Sequence, residues 1–194
     1  MHNGVYVKMY ADIPVDTAEA LRYARQKEQD ERIALLFNAC VEEAACSLGV
    51  CYAVLTADEA GTLLGEAVKK RLGGATYALV FAATAGLGID RLIARYAVTA
   101  PSKALLLQGL GAERIESLCN TFCEEIKAAC LQRGYAVTPR FSPGYGNIPV
   151  EKQREIFSLL CPEKRIGLTL NDSLMMTPAK SVTAIFGIGK QYGL

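Results

Sequence analysis

The longest unbroken apolar run in the chain is residues 77–83, within "TYALVFAAT" at 76–84. A short run that does not alternate predicts a strand covered on both faces. "VYVKMYADI" alternates near the start and predicts a second strand, and "VCYAVLTA" a third. Helical spacing appears between them. "DTAEALRYARQ" opens with Asp16 and Glu19 three apart, the pattern of a capping box. "DERIALLFNACVEEAACSLG" sets Ile33, Leu36, Phe37, Cys40, Val41, Ala44 and Leu48 on one stripe and predicts an amphipathic helix closed by Gly49. "EAVKKRLGG" predicts a helix stopped by Gly73 and Gly74.

After the apolar strand, "AGLGIDRLIARYAV" predicts a tight turn and a helix. From "PSKALLLQ" through "AERIESLCNTFCEEIKAACLQRG" the pattern is again helical. Gly109 and Gly111 interrupt it, predicting a break or kink. "PVEKQREIFSLLC" is a further helix with Pro149 near its start, and "RIGLTL" and "SVTAIFGI" read as closing strands. Helices and strands mix without strict alternation, and no repeat or linker divides the chain. The expectation is a single α+β domain over 1–194.

Composition narrows the function. The 194 residues are 51% hydrophobic and 21% charged with a net charge of +1, so no electrostatic footprint favours nucleic acid or a membrane surface. No apolar run is long enough to span a bilayer, and the N-terminus lacks a signal-peptide pattern, giving a cytoplasmic expectation. Seven cysteines include no C-x-x-C pair. Cys119 and Cys123, four apart, share a helix face and read as packing thiols rather than metal ligands. The one histidine is His2, which excludes a histidine triad or histidine metal site from the body of the chain. Chemistry on this chain would come from a bound cofactor or a partner.

Three stretches carry candidate chemistry. "ATAGLG" offers only G-x-G, without a third glycine or a Walker lysine, so a ligand-free strand-to-helix turn is the favoured reading. A small nucleotide-using α/β enzyme built on it is the least favoured function. "RFSPGYG" at 140–146 joins a guanidinium fork, a stiffening proline, two glycines that allow close approach and a tyrosine face. On composition it reads equally as a structural turn, with Arg140 in a surface salt bridge, and as a clasp for a zwitterionic amino-acid tail on a ring system. In "LTLNDSLMMTPAKS" the paired methionines read as core filler, and Ser173, Thr177 and Ser181 as turn and strand-end hydrogen bonders. Of Glu113, Glu116, Glu124 and Glu125, most are expected to be solvated. Glu116 stands out because its helix precedes the arginine loop.

"R-F-S-P-G-Y-G" at 140–146, followed about thirty residues later by "T-L-N-D-S-L-M-M-T-P-A-K-S-V", resembles the activation domain of cobalamin-dependent methionine synthase. That family carries an R-x-x-P-G-Y loop and then a T-x-S-x-x-M-x-P-x-x-S-V segment. "VFAATAGLGIDRLIARY" and "RIESLCNTFCEEI" look like stand-alone versions of the domain, and the resemblance spans about residues 14–188. It implies an α+β fold with a mainly antiparallel sheet. It also implies a module that binds S-adenosylmethionine, caps a cobalamin-carrying domain and, with an electron donor such as a flavodoxin, restores methylcobalamin from cob(II)alamin. Such a module would not be catalytic alone.

Carried over by motif, the resemblance has Arg140 hold the methionine carboxylate, Ser142 offer its main-chain carbonyl, Pro143 and Gly144 shape the clasp, Tyr145 lie near the corrin, and Glu116 stand on the ligand side. The family's D-W-x-P-F-F segment and C-terminal aromatic extension have no match in these 194 residues. The alternative reading is a cap or interaction partner of another corrinoid methyltransferase protein that does not bind S-adenosylmethionine.

Overall fold

The structure, a computed structural model, describes residues 4–11, 13–26 and 31–190. His2 and the last residues of the terminal "GIGKQYG" lie outside them.

Five strands build one antiparallel sheet in the order β1 (Tyr6–Tyr10), β2 (Leu48–Thr56), β3 (Tyr77–Thr84), β7 (Ser181–Lys190) and β4 (Tyr135–Val137). β5 (Thr169–Leu170) and β6 (Met176–Thr177) form a separate small hairpin. The mixed α+β architecture with an antiparallel sheet is as expected. β3 lies in the middle, and its apolar run is explained by its position. Ala78, Val80 and Ala82 face one core, while Leu79, Phe81 and Ala83 face the other.

The first core lies under four short helices: α3 (Ala57–Leu64), α4 (Glu66–Leu72), α7 (Gln153–Leu160) and α8 (Pro162–Ile166). There Ala60, Leu64, Val68, Leu72, Ile156 and Leu160 cover the small side chains of the sheet. On the opposite face lies α6 (Pro101–Leu131), whose Ile115, Leu118, Cys119 and Phe122 pack on Val50, Phe81 and Phe186. The N-terminal half of α6 extends past the sheet into a helical core. There Leu106, Leu107 and Leu110 meet α1 (Thr17–Tyr23), α2 (Glu31–Glu43) and α5 (Leu87–Thr99).

The expected break in this helix is not there. α6 runs through Gly109 and Gly111 as one 31-residue helix, about 45 Å long at 1.5 Å per residue. The glycines mark close approach. A Cβ on Gly109 would lie 2.3 Å from the Ala20 carbonyl oxygen and 2.7 Å from the Ala24 nitrogen, so α1 crosses α6 there in near backbone contact. A Cβ on Gly111 would meet Ile89 and Lys180 at 2.9 Å.

Three other expectations change. Asp16 does cap α1, accepting from Glu19 N at 3.0 Å, but no reciprocal bond closes the box. The Asp16 N–H instead donates to Glu113 on α6 at 3.1 Å, and Glu19 pairs with Arg22. The full capping box is Thr56–Glu59, at the start of α3. α2 stops at Glu43, and Leu48 and Gly49 belong to β2. "RIGLTL" divides into the end of α8 and a two-residue strand, with Gly167 at φ +68° between them.

Glu113, expected in solvent, is fully buried. Arg114 grips it through Nε at 2.6 Å and Nη2 at 2.7 Å, while donating to the carbonyls of Ile13 and Pro14. Ser117 completes the carboxylate's set at 2.6 Å. This buried pair ties the segment before α1 to the middle of α6, and every charge in it is met by a partner.

Gly109→Ala is expected to destabilise the protein by about 1–3 kcal/mol through overpacking against α1. The change would read as a lower denaturant midpoint in equilibrium unfolding. A kinked, loosely packed α6 would instead tolerate the substitution.

Candidate functional site

The chain after β4 stays beside β7 without forming a regular strand. The Thr138 N–H donates to the Gly187 carbonyl at 2.9 Å, and Phe141 exchanges both main-chain bonds with Ile185 at 2.8 and 2.9 Å. Neighbouring residues of an extended chain point to opposite faces. Phe141 accordingly enters the core under α3, α4 and α7, while Arg140 reaches α6. Its Nη2 donates to Glu116 Oε2 at 2.5 Å.

The turn that follows is built by its own main chain. Pro143 is buried, Gly144 has φ +89° and Gly146 φ +64°, a region glycine enters freely. The Gly144 N–H donates to the Ile148 carbonyl at 2.9 Å, the Ile148 N–H to the Tyr145 carbonyl at 3.3 Å and the Tyr145 N–H to the Ser142 carbonyl at 3.4 Å. The last bond is long and takes one of two lone pairs, leaving the Ser142 carbonyl able to accept again. Tyr145 stands at the tip, 75% exposed.

Five of the six residues singled out in the sequence line one cavity of about 520 Å³: Glu116, Arg140, Ser142, Pro143 and Tyr145. Gly144 shapes the turn behind the wall. The volume falls within the range of small-molecule sites. Sequence reading missed Arg71 on α4, whose guanidinium lies 5.8 Å over the Phe141 ring, and Gln153 at the start of α7. It also missed Thr183, while Met176 and Ser181 were noticed but given no place in the site. Met176, half-buried, packs on the core, but Met175 is 65% exposed and is not core filler. Ser181 does bond at the strand end, donating to the Pro178 carbonyl and meeting Thr84 Oγ1.

The electrostatics centre on Arg140. Burial lowers its pKa, but Cys119 once ionised and the Glu116 carboxylate beside it more than compensate, and the guanidinium stays charged above its usual range. Its Nη1 is buried with no hydrogen-bond partner, and so is Gln153 Oε1. Two unpaired buried polar atoms, a donor and an acceptor, thus belong to residues on the wall of one cavity. Native proteins leave few such atoms without a ligand or water to meet them.

"AGLG" has a different use. A Cβ at Gly88 would lie 1.9 Å from the Ala45 carbonyl oxygen, and one at Gly86 2.9 Å from Ser47. The glycines make room for the chain's own 45–47 segment, so protein backbone packs where a phosphate loop would need space. Among the described residues no group of three or more His, Cys, Asp or Glu could hold a metal ion. Cys119 and Cys123 pack against the sheet from α6, as their spacing predicts. Among the described residues no helix is long and apolar enough to cross a membrane.

The arginine loop thus opens onto a cavity beside an antiparallel sheet that helices cover on both faces. The family model described as "Vitamin B12 dependent methionine synthase, activation domain" matches residues 56–191, and the chain belongs to that family. A solved structure titled "Crystal Structure of the MetH Reactivation Domain bound to AdoHcy" has the same fold, with a TM-score of 0.68 and 16% identity. The match covers 96% of this chain and 78% of that one. No curated protein matches by sequence.

Burial pushes the Cys51 and Cys119 thiols up to about 12, where the reactive thiolate is scarce at neutral pH. Iodoacetamide at pH 8 is expected to leave both unmodified in the native protein and to label them once it is unfolded, as read by peptide mass spectrometry. Rapid native labelling of Cys119 would contradict the packing of α6 on the sheet.

Proposed function

We propose that this chain binds S-adenosylmethionine in the Arg140 cavity and acts as a reactivation module for a cobalamin-dependent methionine synthase. The observation that carries the reading is the unpaired, buried Nη1 of Arg140 on a cavity wall that also holds Glu116. A guanidinium with one free edge suits a carboxylate, and a carboxylate beside it suits an ammonium or sulfonium. Family membership and the AdoHcy in the similar solved structure support the same ligand class.

The protein's part is binding and orientation. Arg140 receives the amino-acid carboxylate, Glu116 balances the positive charge of the ligand, and the Ser142 carbonyl accepts from it. Pro143 and Gly144 hold the loop in shape, and the exposed Tyr145 ring faces the corrin of a partner's cobalamin-binding module. The small molecules would carry the reaction: S-adenosylmethionine would supply the methyl group and leave as S-adenosylhomocysteine, and a donor such as a flavodoxin would supply the one electron needed to restore methylcobalamin from cob(II)alamin.

One observation favours a second reading. Glu116 already occupies Nη2 of Arg140, so the protein itself meets one terminal nitrogen of the guanidinium. A protein that only caps a corrinoid partner, without S-adenosylmethionine, would keep such an internal pair.

Isothermal titration with S-adenosylmethionine separates the two. Wild type is expected to bind, and Arg140→Ala to weaken binding by about 1.5–3 kcal/mol, the worth of a charge-assisted contact. Tyr145→Ala is expected to weaken capture of a cobalamin-loaded partner more than it weakens S-adenosylmethionine binding. No binding of S-adenosylmethionine by wild type, even with that partner present, rejects the reactivation reading in favour of the cap.

A further inference from the structure

The cavity contains a polar side chain at a position whose helical pattern asks for an apolar one. Gln153 opens α7 on the stripe that continues through Ile156 and Leu160, both fully buried in the core. It is only 8% exposed, it lines the cavity, and its Oε1 is buried with no hydrogen-bond partner. A leucine or methionine would serve the packing without leaving an acceptor unmet. Violations of this kind gather where a site needs a particular chemistry.

The rest of the wall indicates which chemistry remains. Arg140 and Glu116 form a pair of opposite charges that complements a zwitterionic tail, and Arg71 adds a second cation over the Phe141 ring. A primary amide is neutral and presents an acceptor and a donor side by side. Its complement is a neutral edge with a donor and an acceptor side by side. The exocyclic amine of adenine and the ring nitrogen next to it form such an edge, and glutamine pairs with adenine in this way in nucleic-acid recognition.

Resting on the S-adenosyl reading above, we infer that Gln153 is a specificity-determining residue that reads the adenine edge of the ligand. Its Oε1 accepts from the exocyclic amine and its Nε2 donates to the adjacent ring nitrogen. The cavity then recognises its ligand at two chemically distinct ends, through ions at the amino-acid tail and through an amide at the base.

The test titrates the intact chain with S-adenosylhomocysteine and with S-inosylhomocysteine, whose base has an oxygen in place of the amine. Wild type, Gln153→Leu and Gln153→Met are compared. Wild type is expected to prefer the adenosyl ligand by about tenfold or more. Both variants are expected to lose most of that preference by weakening the adenosyl ligand alone, with unliganded melting temperatures at or above that of wild type.

Variants that keep the preference overturn the inference and leave the S-adenosyl reading standing, as does a wild type that binds both ligands equally. Variants that melt lower and weaken both ligands together show a structural glutamine, which also overturns it. A wild type that binds neither ligand, even with the cobalamin-loaded partner present, overturns the S-adenosyl reading and this inference with it.

Discussion

The molecule is organised by the continuity of α6. One rod supplies the wall of the helical core with its first half and the cover of the sheet with its second. It can do so because Gly109 and Gly111 remove the side chains that would hold α1 and Lys180 away. Had the helix bent there, the Glu113 carboxylate would not meet the Asp16 amide ahead of α1. As it stands, the two carboxylates lie one helical turn apart, each met by its own guanidinium. Arg114 closes the first pair inside the protein, and Arg140 forms the second at the edge of the cavity.

The second organising element is the irregular run beside β7. Continuing as a regular strand, it would have paired at every second residue and left no room for a loop. Bonds between Thr138 and Gly187 and a bridge at Phe141–Ile185 hold the chain to the sheet, and the bridge sends Phe141 and Arg140 to opposite faces and releases the turn that follows. Local geometry thereby becomes chemistry, because the buried phenyl ring fixes the reach of the arginine next to it.

Much of this was legible in the residues. The unbroken apolar run within 76–84 marked the central strand, and its burial on both faces is what the pattern requires. The R-x-x-P-G-Y loop and its downstream companion marked the family, and four of the five residues named from the loop line one cavity with Glu116. What the sequence hid has a common physical cause: it depended on partners distant along the chain. Glycine in a helix reads as a break until another helix is known to cross there. Glu113 reads as solvated until the Asp16 amide closes on it and the Ile13 and Pro14 carbonyls hold its neighbour Arg114 in place. Arg71 sits in an ordinary helical pattern, and only the folded chain brings it and Gln153 to the arginine loop. The one available signal was Gln153 itself, a polar residue on an apolar stripe.

The arginine loop also has a thermodynamic consequence. Its turn is closed by three main-chain hydrogen bonds, anchored by the buried Pro143 and Ile148, and it holds Tyr145 outward in a fixed attitude. Ordering a loop costs about 1–2 kcal/mol of backbone entropy per residue, and here that cost is met when the protein folds. A surface that docks against the ring meets a preorganised contact, and little conformational freedom remains to be lost on association. The rigidity of seven residues thus acts on the lifetime of a complex as well as on the shape of a pocket.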